Sequence, residues 1–152
     1  MTKDELKNKI LELSPAAVFD ETGEWLCVLI DSPGWLLFAK QLREDADLHF
    51  DYLFCATAVD WKTHLTVVYH LTSTSHRHTV VVKAKIADRN NSEIETVSHI
   101  WRTAEFHELE CYDLMGVKFL HHPGLRRLFL TEDWAGWPLR KDYVDPVNMI
   151  EL

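Results

Sequence analysis

The chain has 152 residues, 47% hydrophobic and 26% charged, enough for one buried core and ordinary for a globular domain. Its formal net charge of -8 removes the basic field that sequence-independent nucleic-acid binding requires. No apolar run approaches the ~20 residues of a membrane-spanning helix, and the N-terminus MTKDELKNKILEL has no signal-peptide pattern, so neither anchor nor leader is expected.

Thr2 and Glu5 have the spacing of a capping box, and Leu6, Ile10 and Leu13 recur at helical intervals until Ser14-Pro15 ends the run. Residues 16–19 and 25–30 are short extended runs on either side of Glu21-Thr22-Gly23, the pattern of a hairpin. Asp31-Ser32-Pro33 opens a helix over residues 34–44 that buries Trp35, Phe38, Ala39 and Leu42. The middle of the chain reads as sheet. Residues 50–59 are apolar on both faces, 65–71 are rich in β-branched side chains, and 76–86 alternate. In that last run Val80, Val82, Ala84 and Ile86 share one face, while Arg77, Thr79, Lys83 and Lys85 share the other. An antiparallel sheet with one dry side and one wet or partner-covered side has this pattern. Both Trp61 and Tyr69 are assigned to its core.

Asp88-Arg89-Asn90-Asn91 is a surface turn, after which helical spacing resumes at Val97, Ile100, Trp101 and Ala104 and runs through Glu108 to Leu114, where Gly116 stops it. Beyond Gly116, the residues Pro123, Gly124, Gly136, Pro138 and Pro146 cut the chain into short pieces. The expected fold is a single two-layer α+β domain over residues 1–152. A mostly antiparallel or mixed sheet packed by helices fills residues 1–115, and an irregular docking arm follows over 116–152.

Few residues invite chemistry. Cys27, Cys55 and Cys111 stand far apart with no Cys-x-x-Cys, so no iron–sulphur cluster, zinc ribbon or disulfide framework is expected, and such cysteines suit a reducing cytoplasm. Glu105 and Glu108 fall one helical turn apart, and paired carboxylates can do acid–base work. With no nucleophile, Gly-rich loop or third ligand beside them, the simpler reading is a solvated or arginine-paired helix face. His121 and His122 are adjacent, and His76 and His78 sit two apart on one strand face, a spacing that could let two imidazoles share a metal, but a third ligand at suitable spacing is missing; His122 before Pro123 reads more simply as a turn residue bonded to backbone. The alternative function of a different class is a stand-alone metal-dependent enzyme built on these His and Glu clusters.

The most informative stretch is the last. Glu108-x-Glu110-x-Tyr112-Asp113-x-x-Gly116-Val117-x-Phe119 is acidic and aromatic. His122-Pro123-x-Leu125-Arg126-Arg127 and Gly136-Trp137-Pro138-Leu139-Arg140-Lys141-Asp142 are basic and interleaved with Phe129, Trp134 and Trp137. Arginine among aromatics is the composition of interface hot spots, and a guanidinium can grip a carboxylate bidentately. The same arginines could instead neutralise Glu108, Glu110 and Asp113 within the chain, with at least one facing inward.

These motifs resemble the 30-kDa subunit family of the proton-pumping NADH:quinone oxidoreductase, respiratory complex I. Phe50-Asp51-Tyr52-Leu53, Thr57-Ala58-Val59-Asp60, Val67-Val68-Tyr69-His70-Leu71 and Ile100-Trp101 with Ala104 extend the likeness over the last two-thirds of the chain. Departures from the family pattern fall at Leu109, His121, Gly124 and Trp137. The resemblance implies a non-catalytic peripheral-arm subunit that binds no cofactor, within a complex that uses FMN, iron–sulphur clusters, NADH and quinone. It implies docking against the quinone-site (49-kDa-type) subunit and the adjacent iron–sulphur subunit, on the cytoplasmic side of a bacterial inner membrane. The equivalent subunit of a membrane-bound hydrogenase or of a ferredoxin- or deazaflavin-linked complex is the alternative. No catalytic or metal-binding residue is assigned. The docking signature is Glu108, Glu110, Tyr112, Asp113, Gly116, His122, Pro123, Arg126, Arg127, Trp134, Gly136, Trp137, Pro138, Leu139, Arg140, Lys141 and Asp142. Reversing the charge of Arg127 or Arg140 is then expected to strip the chain from its complex with much less effect on its own stability.

Overall fold

Helix α1 (Lys3–Leu13) starts as its sequence predicts: the Thr2 hydroxyl accepts the Glu5 N–H, and the Glu5 carboxylate accepts the Thr2 N–H. The computed structural model that shows this describes residues 1–149. Strands β1 (Val18–Asp20) and β2 (Leu26–Asp31) form the expected antiparallel hairpin. A single 3-10 turn at Ser32–Gly34, with Pro33 in its first turn, leads into α2 (Trp35–Glu44). Strands β3 (Tyr52–Asp60), β4 (Leu65–Thr72) and β5 (Thr79–Ile86) complete a five-stranded sheet in the order β1-β2-β5-β4-β3.

The sheet is mixed, because β2 runs parallel to β5 while the other neighbours are antiparallel. Its registers line up inward rows: Val28, Val82, Tyr69 and Ala56 form one, and Leu26, Val80, Leu71 and Leu53 the next. All eight are buried. Onto this face α1 brings Leu6 and Ile10, and α2 brings Trp35, Phe38, Ala39 and Leu42. The Trp35 indole stacks on Tyr69 with centroids 4.3 Å apart, and Trp101 lies nearly parallel to it at 6.3 Å. Cys27, Val81, His70 and Cys55, in the row one residue along, lie outside the core cluster. The fold is therefore α+β with one dry sheet face.

Three expectations fail locally, each for a physical reason. Trp61 is 54% exposed rather than core. It sits in the tight β3–β4 turn, where Lys62 takes φ +70 and Asp60 accepts the Lys62 N–H, which throws the indole outward onto His64. Arg77 lies in a turn at φ +56, and β5 begins only at Thr79. The helix expected from Val97 begins at Ala104: residues 97–103 make separate turns, with Trp101 N–H on Val97 O and Ala104 N–H on Trp101 O, before α3 (Ala104–Met115). A second, two-stranded sheet pairs β6 (Glu93–Glu95) in parallel with β7 (Lys118–Leu120), so regular structure continues briefly past Gly116.

Candidate functional site

Helix α3 ends at Gly116, in the left-handed region at φ +70. A side chain is excluded there twice over, since a Cβ would lie 2.6 Å from the Trp137 ring. The chain then turns back along α3, and the signature residues fasten it.

Arg127 is the central clasp. Its Nη1 donates to the Asp113 carbonyl (2.8 Å) and carboxylate (3.2 Å), and its Nη2 donates to Trp134 O (2.8 Å) and Gly136 O (2.9 Å). The guanidinium lies 4.5 Å from the Trp137 ring centroid, and that ring meets Tyr112 edge-on at 5.3 Å. Asp113 is fully buried and also accepts the N–H groups of Phe129 (2.6 Å) and Leu130 (3.1 Å). Burial pushes its carboxyl up, but these backbone donors and Arg127 outweigh that and hold it below the usual carboxylate range.

Arg140 makes a second clasp with backbone alone: Met115 O at 2.7 Å, Arg89 O at 3.2 Å and Gly116 O at 3.4 Å. Leu139 N–H adds Leu114 O at 3.0 Å. A third clasp was not foreseen in the sequence. Arg89 bridges buried Asp60 (2.6 Å) and exposed Asp142 (2.9 Å), while Asp60 also accepts the Lys141 N–H at 2.9 Å. The bonds from Arg89 hold the Asp60 carboxyl far below the usual range. No local signal marks this trio, because the two charges that Arg89 joins lie 29 and 53 residues away.

The acidic cluster divides. Glu110 is exposed on α3, whereas Glu108 is fully buried. The expected arginine partner goes to Asp113 instead, and Glu108 meets the Thr96 hydroxyl and the Val97 N–H (2.8 Å), with His122 Nε2 at 3.7 Å. Burial pushes its carboxyl up to about 7. His122 bonds backbone as expected: Nε2 lies 3.0 Å from Glu105 O, and Nδ1 accepts the Gly124 N–H at 3.1 Å. Pro123 and Arg126 are exposed, and among the described residues the Arg126 side chain reaches only Arg127 O, at 3.5 Å.

His76 and His78 stack at 5.7 Å, but their Nε2 atoms face the carbonyls of Ala46 and Leu48. Among the described residues no group of three or more His, Cys, Asp or Glu is placed to hold a metal. What Asp113, His122, Arg127 and Arg140 do physically is hold backbone and so fix the course of the chain beyond Gly116.

The sequence family described as the respiratory-chain NADH dehydrogenase, 30 Kd subunit, matches residues 28–147. The chain belongs to this family. It is 37% identical over 143 residues to the C subunit of the NADH-quinone oxidoreductase of Chlorobium phaeobacteroides, covering 92% of this chain and 85% of that one. It is 42% identical over 124 residues to the C/D subunit of the NADH-quinone oxidoreductase of Phocaeicola vulgatus; the alignment takes in 81% of this chain but only 24% of that longer protein. Among solved structures, a chain of the membrane-bound sulfane sulfur reductase, an archaeal respiratory membrane complex, superposes with a TM-score of 0.76 at 26% identity. That superposition covers 97% of this chain and 88% of the other.

Proposed function

We propose that this chain is a non-catalytic peripheral-arm subunit of an NADH:quinone oxidoreductase and that it docks through its C-terminal arm. In this reading the complex passes electrons from NADH through FMN and iron–sulphur clusters to quinone and couples this to proton translocation. The chain itself binds none of these groups and has no activity alone. Its partners are the quinone-site subunit and the adjacent iron–sulphur subunit, on the cytoplasmic side of the inner membrane. Among the described residues no helix is long and apolar enough to cross a membrane, in keeping with attachment through the complex.

The observation that carries the docking role is an inversion of polarity along the arm. Arg127 and Arg140 turn inward to backbone carbonyls, while Phe129, Leu139, Val144 and Val147 stand outward at 68%, 60%, 74% and 86% exposure. A segment that commits two guanidiniums to its own backbone and presents apolar side chains to water is built to be covered. The C/D relative carries both subunits in one chain, which supports a D-type subunit as the neighbour. Purifying the tagged chain from native membranes tests this: the quinone-site subunit, flavin and NADH oxidation should elute with it. Elution of the chain alone would overturn it.

The likeness to the sulfane sulfur reductase chain favours one second reading, the same module in a complex with another electron donor. The same preparation separates the two, since such a complex would oxidise ferredoxin and not NADH.

A further inference from the structure

The buried Glu108–His122 contact is unexplained by docking. Both side chains are sealed, at 0% and 1% exposure, and among the described residues no cation closes on the carboxylate: Arg127 of the arm is committed to Asp113. The titratable groups that face Glu108 are Tyr69 from β4, His122 from the arm, and Glu105 and Cys111 from α3 itself. From the segment after β6 come only neutral partners, Thr96 and the Val97 N–H.

The hydrogens can be assigned. His122 Nδ1 accepts from the Gly124 N–H, so the ring proton sits on Nε2 and is donated to Glu105 O. The Thr96 hydroxyl has a single hydrogen, and Ser98 Oγ lies 2.9 Å away to accept it. With Glu108 in its neutral form, the carboxyl supplies the hydrogen of its close contact with Thr96. A carboxyl buried without a counter-charge is expected to be in this neutral form.

We propose that Glu108 and His122 form a proton-controlled latch on the arm's first turn. With Glu108 protonated, the imidazole Nε2–H is held by Glu105 O, Nδ1 holds the Gly124 N–H, and the turn is closed. When Glu108 loses its proton, the anion 3.7 Å away becomes the stronger acceptor for the same Nε2–H. The ring rotates towards it, Nδ1 leaves Gly124, and the turn opens. No proton is exchanged between the two side chains; the one lost from Glu108 goes to solvent. The latch would let the arm respond to pH near neutrality, where the buried carboxyl titrates.

Amide hydrogen exchange on the full chain tests this at about pH 5.5 and about pH 8.5, corrected for intrinsic rates. Protection of the Gly124 N–H should fall about tenfold over that interval, the worth of one net hydrogen bond. Gly116, whose N–H is held by Tyr112 O, serves as the reference and should not change. In Glu108→Gln, Gly124 should keep its low-pH protection throughout. Equal protection of Gly124 at both pH values in the unmodified chain, or the same fall in Glu108→Gln, would overturn the latch. Should that variant fail to fold, the ring-nitrogen resonances of His122 in the unmodified chain decide. Nδ1 must shift from a bonded to a free acceptor as pH rises, and a static signal would overturn the proposal.

Discussion

Arg126 and Arg127 are adjacent and chemically identical, yet the structure gives them opposite roles. Arg127→Ala removes four donated hydrogen bonds from a side chain that is 9% exposed, and strands the Asp113 carboxylate and three carbonyls. Breaking a buried ion pair by deleting one partner costs about 3–5 kcal/mol, and loss of the stack on Trp137 adds about 0.5–2 kcal/mol. Arg126→Ala removes one long contact from an exposed side chain and should stay within about 0.5 kcal/mol. The Phe129 and Leu130 amides, both held by Asp113, report on the clasp directly. Their exchange protection should drop about a hundredfold or more in Arg127→Ala and stay near its original value in Arg126→Ala. Equal behaviour of the two variants would refute the clasp. This revises the expectation that charge reversal at Arg127 or Arg140 acts on assembly and scarcely on stability, because both guanidiniums are spent on this chain's backbone.

Three further outcomes follow from burial and charge. Tyr69→Ala should cost about 3–5 kcal/mol in a urea titration, whereas Trp61→Ala, at an exposed turn, should cost less than about 0.5 kcal/mol. Glu108 has a raised carboxyl pKa, so the folded chain holds its proton more tightly than the unfolded one, and stability should fall by about 2–4 kcal/mol as pH rises from about 4.5 to about 7. Glu108→Gln should flatten that slope in denaturant titrations across the range. Asp60 has the opposite sign. Its depressed pKa gives stability that is present above the ordinary carboxylate pKa and lost as pH falls through the folded value. Asp60→Asn should therefore be less stable at neutral pH but lose less on acidification, as read by the acid unfolding midpoint.

Much of the fold is legible in the sequence because its signals are local. The reciprocal Thr2–Glu5 cap, Pro33 at a helix start and the alternation from Val80 to Ile86 each need only a few neighbouring residues to be read. The parallel pairing of β2 with β5 joins segments about fifty residues apart and leaves no local trace. The three-residue strands β6 and β7 are too short to show a period. The helical spacing at Val97, Ile100 and Trp101 reflects burial of Val97 and Trp101, and part burial of Ile100, in successive turns rather than a continuous helix. Within the signature stretch, the motif gives the residue types but not the direction they face. Glu108 and Glu110 look alike in sequence and differ wholly in burial, and Arg89 reads as part of a surface turn until Asp60 and Asp142 converge on it.

The most direct test of docking alters only what the arm shows to water. Leu139→Glu and Phe129→Glu place charges on side chains that are 60% and 68% exposed, so the isolated chain should keep its urea midpoint to within about 0.5 kcal/mol. In native membranes the unmodified chain should co-purify with the quinone-site subunit, and both variants should fail to. Recovery of an intact complex at the original yield with both variants would contradict docking through the arm.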